Sequence, residues 1–187
     1  MKREIPRNMK TPEHLLSRRE MLGASAVAVG TLALGWPAQA DETKFVLPEP
    51  TLGALKQSPF VYVSPLKSTG GESRCHGEVW YFEDGGDAVL ATATDTWKAR
   101  ALAKGLDRAR VWVGDYGRIK QAPDRFRAGP SFLANASRDT DKATFERLMQ
   151  TFATKYADEW GKWEPRFQKG YADQSRILIR YHPISAG

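Results

Sequence analysis

The sequence is poor in the residues that build the commonest metal and thiol centres. Its 187 residues include one cysteine, Cys75, and three histidines. A single cysteine cannot form an internal disulfide, and we interpret Cys75 as a small apolar packing residue rather than a reactive thiol. After residue 40 the histidines are His76 and His182, and Cys75 and His76, as neighbours in a strand, face opposite sides. The pattern predicts no metal site.

The common nucleotide-binding and hydrolase motifs are also missing. The sequence has no Gly-x-Gly-x-x-Gly stretch, no Gly-Lys-Ser/Thr loop and no Gly-x-Ser-x-Gly elbow. His182, directly before Pro183, is interpreted as a terminal surface residue rather than a general base. No protein residue is therefore assigned a catalytic role, and the commonest cofactor-free hydrolases are disfavoured.

The excess of basic residues is small once the start of the chain is set aside. Half of the formal net charge of +6 falls in residues 1–40. The later basic residues are interleaved with acidic ones, whereas nucleic-acid-binding proteins gather them in patches. The charge pattern predicts no nucleic-acid partner.

Residues 1–40 have the order of an export signal. Arg18 and Arg19 precede a modestly apolar run from Met21 to Trp36, and Ala38-Gln39-Ala40 offers a cleavage site. The run is shorter than the ~20 residues that span a bilayer, so a retained anchor is the less favoured alternative. The paired arginines predict a twin-arginine signal peptide, recognition by that export machinery, and a periplasmic or otherwise exported protein without a membrane span after cleavage. That route carries folded chains, which suits a cofactor loaded beforehand.

The remaining chain has the size of one domain. Residues 41–58 contain prolines and little periodicity, which predicts an extended N-terminal arm, and residues 59–187 form the domain. Strands are predicted at 60–63, 76–83, 88–93, 110–114, 131–136 and 176–181, and helices at 95–104 and 141–163. Thr94 or Asp95 is expected to cap the first helix, and Pro165 to break or kink the second. An aromatic stripe along the second helix suits a core or a dimer contact.

Three stretches, FVYVSP, HGEVWYFEDGGDAVLATATDTWKAR and ARVWVGD, follow one another in an order that resembles the flavin-binding split-barrel family of pyridoxamine 5'-phosphate oxidase. The similar features are the aromatic segment at 79–82, the threonines at 92 and 94, and the WKAR segment at 97–100. The resemblance covers about residues 60–115. It implies an α+β, mainly β fold: an antiparallel split β-barrel of FMN-binding type, with a short helix and a long C-terminal helix.

The resemblance also implies a set of cofactor-binding residues. They are Trp80, Thr92, Thr94, Trp97, Lys98 and Arg100. Lys98 would bind a phosphate, with the two threonines as hydrogen-bonding partners, whereas Arg100 cannot share its direction on an ideal helix. Asp95 departs from what a phosphate site needs unless it serves as an outward-facing cap. Each tryptophan suits a flavin-shielding wall or ordinary packing in the barrel, and Lys98 suits either a ligand or a solvated side chain.

The function implied is an exported oxidoreductase that carries FMN or a deazaflavin, with haem a less favoured cofactor. Its partner would be a small-molecule redox substrate, and family members often form homodimers with the cofactor between two chains. The alternative is a non-catalytic module that binds flavin or haem in the same barrel.

Overall fold

The computed structural model describes residues 45–185, which belong to one compact unit, Glu42–Gly187. The predicted signal peptide at 1–40 lies outside the described residues. Within them, no helix is long and apolar enough to cross a membrane. The helices are α1 (Glu49–Gln57), α2 (Trp97–Ala103), α3 (Lys142–Lys155), α4 (Ala157–Ala172) and a 3₁₀ turn (Arg125–Ala128). The strands are β1 (Val61–Pro65), β2 (Gly77–Val79), β3 (Phe82–Asp84), β4 (Asp87–Ala93), β5 (Arg108–Val113), β6 (Ser131–Asp139) and β7 (Arg176–Ile184).

The seven strands form one antiparallel sheet that curves into a barrel. Their order is β2-β1-β5-β6-β7-β4-β3, so β2 and β3 occupy opposite edges. In the chain, however, only Trp80 and Tyr81 separate these two strands. The sheet must therefore bend round until its edges meet, and it stays split where β2 and β4 do not pair. The predicted antiparallel split β-barrel, α+β and mainly β, is confirmed.

The predicted single strand at 76–83 is wrong, because the chain changes strand partners in its middle. Val79 pairs with Val61 of β1, whereas Phe82 pairs with Val89 of β4. Between them, the Tyr81 N–H donates to the Tyr156 hydroxyl (3.0 Å), and the Tyr81 hydroxyl, fully buried, lies 2.6 Å from the Leu55 carbonyl. A tyrosine hydroxyl thus replaces a ladder partner at the bend.

The predicted extended arm at 41–58 contains α1 instead. Pro48 is its N-cap residue and Pro50 lies in its first turn, where a missing N–H costs nothing. Leu55 is completely buried in the barrel core. The prolines that indicated an arm therefore mark the start of a helix.

The predicted long helix at 141–163 is two helices that meet at Tyr156. This residue has φ −124° and ψ 37°, and its hydroxyl also lies 2.7 Å from the Pro59 carbonyl. Pro165 does not end α4: it is exposed at the helix surface, where water can bind the carbonyl that loses its partner. The aromatic stripe is core. Its side chains form an apolar layer with Phe82, Val89 and Leu178 of the sheet.

The last strand continues through His182 and Pro183 instead of stopping there. Pro183 opposes Ala134 of β6, while pairing with β4 ends at Tyr181, so Pro183 has a strand neighbour on one side only, a position that tolerates proline. His182 is not a simple surface residue, because its Nδ1 lies 2.7 Å from Oδ1 of Asp87.

Candidate functional site

A groove of about 880 Å³ lies where the barrel is split. It is lined by the 76–80 segment, the end of β4, the loop after β5, α4 and the start of β7. The lining residues are Phe60, Tyr62, His76, Gly77, Glu78, Val79, Trp80, Ala91, Thr92, Ala93, Thr96, Gly117, Arg118, Ile119, Lys120, Glu159, Trp163, Phe167 and Arg176.

Two unpaired strand edges face each other across the groove. β2 pairs with β1 alone, and β3 covers β4 only from Asp87 to Val89. Among the described residues no strand covers the groove side of Gly77–Val79 or of Ala91–Ala93. Because an edge strand presents N–H and C=O groups at regular spacing, a planar polar ligand can hydrogen-bond along these edges.

A rigid aromatic wall forms one side of the groove. The Trp80 ring stacks on Tyr156, with centroids 4.3 Å apart and planes 3° apart. Trp163 meets Trp80 edge-on at 6.1 Å. Since Tyr156 is itself held by hydrogen bonds to the bend, Trp80 cannot turn freely. The groove therefore offers a flat apolar surface that is already formed.

A buried ammonium group lies directly behind the groove wall. Lys98 is only 8% exposed, and burial lowers its pKa to about 8. A Cβ atom built on Gly77, which lines the groove, would lie 4.0 Å from Lys98 Nζ and 3.6 Å from the Trp97 ring. Lys98 Nζ lies 4.7 Å from the Trp97 ring centroid and has no hydrogen bond or ion pair with a described residue. An unpaired buried charge is costly, so an anion in the groove would stabilise it.

The threonines predicted near the phosphate have different roles. Thr92 lines the groove, and its hydroxyl lies 3.0 Å from that of Thr96. Thr96, not Thr94 or Asp95, is the cap of α2: its hydroxyl accepts from Ala99 N and donates to the Ala93 carbonyl. Thr94 is exposed and donates to Ser175 O (3.3 Å).

The other predicted site residues divide between the groove and its surroundings. Trp80 lines the groove, while Trp97 and Lys98 lie behind Gly77. Lys98 is not the solvated side chain of the alternative interpretation. Arg100 is exposed and does not line the groove.

A loop segment of the same chain forms another rim of the groove. In this strap, residues 116–120, the Tyr116 N–H donates to the Tyr62 hydroxyl (2.9 Å), which donates to the Gly117 carbonyl (2.9 Å). The Ile119 N–H donates to Oε2 of Glu78 (2.6 Å). These contacts hold the strap against β1 and β2.

His76 and Arg176 also line the groove and were not predicted as site residues. The His76 ring packs against Phe126, with centroids 5.4 Å apart, and its buried Nδ1 has no hydrogen-bond partner among the described residues. No group of three His, Cys, Asp or Glu side chains in the described chain could hold a metal ion.

Solved structures of other proteins share this fold. A conserved hypothetical protein from Mycobacterium tuberculosis has a TM-score of 0.50 and 16% identity, over 77% of this chain and 83% of that one. HutZ, the haem storage protein from Vibrio cholerae, has a TM-score of 0.51 and 12% identity, over 76% and 93%. A putative pyridoxamine 5'-phosphate oxidase from Listeria innocua has a TM-score of 0.45 and 14% identity, over 72% and 90%. No protein-family model matches the sequence, and no curated protein does. At these identities the likeness to the first two establishes the fold alone, an antiparallel split β-barrel.

Proposed function

We propose that this protein binds FMN, or a deazaflavin of similar shape, in the groove and acts as an oxidoreductase on a small molecule. One observation carries the proposal: a flat aromatic wall lines the groove, and directly behind Gly77 lies a buried ammonium group that has no partner among the described residues. The groove volume of about 880 Å³ falls within the ~300–1,000 Å³ of cofactor sites.

The residues present fit such a cofactor. The ring system would lie against Trp80, and the free edges of β2 and β4 would meet its polar atoms. The negative phosphate would extend towards the end of the groove at Thr92, where the positive charge of Lys98 would attract it. When bound, a flavin supplies hydride or electron transfer. The chain's own contribution is to bind, orient and exclude water, and no protein acid or base is assigned.

A second candidate is haem binding without turnover, and His76 is the observation that favours it. It is the imidazole that lines the groove, and HutZ shows that this fold occurs in a haem storage protein. Metal-bound histidines, however, nearly always donate their other N–H to an acceptor. His76 Nδ1 has none among the described residues, so flavin is the better fit.

Titration with FMN and with riboflavin tests the proposal. The unmodified protein is expected to bind FMN more tightly than riboflavin, and its loaded visible spectrum to show flavin bands rather than a Soret band. Lys98→Ala removes a charge worth ~1.5–3 kcal/mol to an anion, so FMN affinity should fall on the order of 10- to 150-fold. Riboflavin affinity should change little.

Lys104→Ala is the matched control, because Lys104 is the exposed C-cap of the same helix. It should keep the preference for FMN. If the unmodified protein binds no flavin or deazaflavin, the cofactor assignment is wrong; if it binds FMN but both lysine variants behave alike, Lys98 does not act on the phosphate.

We also propose export through the twin-arginine route and assembly as a homodimer. The paired arginines support export. Support for a dimer comes from the resemblance to a family whose members often hold the cofactor between two chains. A solution mass equal to one chain at micromolar concentration would contradict the dimer.

A further inference from the structure

Arg176 is one of three basic side chains that line the groove, together with Arg118 and Lys120 of the strap. It is the first residue of β7 and lies opposite Ala93, the last residue of β4. It lines the groove directly, whereas Lys98 lies behind Gly77. Arg176 has no hydrogen bond or ion pair with another described residue, although Arg166, a like charge, and Asp95, an opposite charge, both lie close enough to act on it.

The direction of the Arg176 side chain is set by two residues of α4. Its guanidinium carbon lies 4.8 Å from the ring centroid of Phe167, which also lines the groove. A Cβ atom on Gly170 would lie 2.6 Å from both Cγ and Cδ of Arg176. Any larger residue at 170 would therefore overlap the arginine stem. Gly170 lets the helix pack against that stem and hold it in place.

Charge and geometry together indicate what Arg176 binds. Burial and the neighbouring Arg166 lower its pKa, but an arginine stays charged at neutral pH. The planar guanidinium carries a fork of N–H donors that matches two oxygens of a phosphate. A half-buried fork that lines the groove and has no hydrogen-bond acceptor among the described residues is arranged to receive an anion.

We infer that Arg176 directly contacts the phosphate of the ligand, and that Gly170 is a positioning residue for it. This inference rests on the proposed function and adds to it. Arg176 of β7 makes the direct contact with the phosphate, while Lys98, behind Gly77, attracts it through its charge. It also explains a helix glycine that propensity alone disfavours.

The test compares FMN and riboflavin binding across four variants. Arg176→Met keeps the stem and removes the charge, so FMN affinity should fall on the order of 10- to 100-fold while riboflavin affinity is unchanged. Arg176→Lys should recover only part of the loss, because an ammonium group cannot bind in a bidentate way. Gly170→Ala should also weaken FMN alone. Gly161→Ala is the control on the same helix, because nothing lies within 4 Å of a Cβ there.

A double variant separates positioning from general damage. If Gly170 acts through Arg176, Arg176→Met with Gly170→Ala should lose no more FMN affinity than Arg176→Met alone. Additive losses would overturn the positioning role. Circular dichroism checks that each variant is folded. If Gly170→Ala fails to fold, Arg176→Met alone tests whether Arg176 contacts the phosphate.

The two proposals fail in different ways. If the unmodified protein prefers FMN and Arg176→Met keeps that preference, Arg176 is not a phosphate contact and the proposed function stands. If the unmodified protein binds no flavin, both are overturned.

Discussion

At the scale of single residues, two buried lysines differ in whether their ammonium group has a hydrogen-bond acceptor in the described part of the chain. Burial lowers the pKa of both Lys98 and Lys155 to about 8. Lys155 donates to the Tyr81 carbonyl (3.2 Å) and lies 3.7 Å from the centroid of its ring. Among the described residues, the Lys98 ammonium group contacts the Trp97 ring and has no hydrogen-bond acceptor. The lysine without an acceptor is the one beside the groove, as expected where a ligand brings the opposite charge.

The lowered pKa of these two lysines predicts how the stability of the protein depends on pH. Unfolded lysines keep a pKa near 10.5, so between pH 8 and pH 10.5 the folded protein binds fewer protons than the unfolded chain. Stability of the ligand-free protein should therefore rise with pH from about 8. Burial raises the pKa of Tyr81, Tyr156 and Tyr181 above 10, so stability should fall again above pH 10.

Urea unfolding at several pH values between 8 and 10 measures this rise. Lys98→Met should remove part of it, and saturating FMN should reduce it by a similar part, because a phosphate would raise the pKa of Lys98 while that of Lys155 stays lowered. Lys104→Met, at an exposed site, should leave it unchanged. A rise of equal size in Lys98→Met and in the unmodified protein would show that Lys98 does not titrate with a lowered pKa.

At the scale of elements, the strap depends on a tyrosine ring seated against two glycines. A Cβ atom on either Gly114 or Gly129 would overlap the Tyr116 ring or its hydroxyl. Gly129 has an ordinary φ of −83°, so Gly129→Ala tests space without backbone strain. It should displace Tyr116, loosen the strap and cost on the order of 1–3 kcal/mol of stability.

Hydrogen exchange should then be faster at residues 116–120, and FMN should dissociate faster. Gly71→Ala is the control, because the nearest atom to its Cβ is an ordinary 3.9 Å away. Unchanged exchange in Gly129→Ala would mean that Tyr116 does not hold the strap.

The elements that the sequence predicted and those it missed differ in how far apart their determinants lie. Strands with local alternation, such as those at 88–93 and 110–114, were found within a few residues of their bounds. The break at Trp80–Tyr81 and the break at Tyr156 meet at one contact, the hydrogen bond between Tyr81 and Tyr156, which are 75 positions apart. No local pattern shows such a contact.

The candidate site likewise combines residues that a local sequence pattern indicated with one that only the fold brings near. The segment from Gly77 to Lys98 is contiguous, so a linear resemblance pointed to it. Arg176 joins it only because the sheet order places β7 beside β4. As a strand-starting arginine it carries no sequence signal of its own. Only the fold brings it within the groove.

At the scale of the whole molecule, the split leaves the barrel incomplete along one seam. The unpaired edges of β2 and β4 and the buried charge of Lys98 all lie at this seam, so a ligand that binds only the folded state would close it. Such binding stabilises the fold by RT ln(1 + [L]/Kd), ~2.7 kcal/mol at a hundredfold excess over Kd. If the proposed export route operates, a cofactor loaded beforehand would therefore stabilise the protein that is exported.

Export itself gives the last prediction, which concerns residues outside the described part of the chain. Arg18→Lys with Arg19→Lys keeps the positive charge of the leader but replaces both guanidinium groups. A machinery that reads the arginine pair should reject this variant, which should remain in the cytoplasm with residues 1–40 attached. Arg3→Lys with Arg7→Lys is the matched control, because it makes the same chemical change in the same basic segment away from the pair. Fractionation and immunoblotting of precursor and mature forms measure both variants, and normal export of the Arg18 and Arg19 variant would exclude the twin-arginine route.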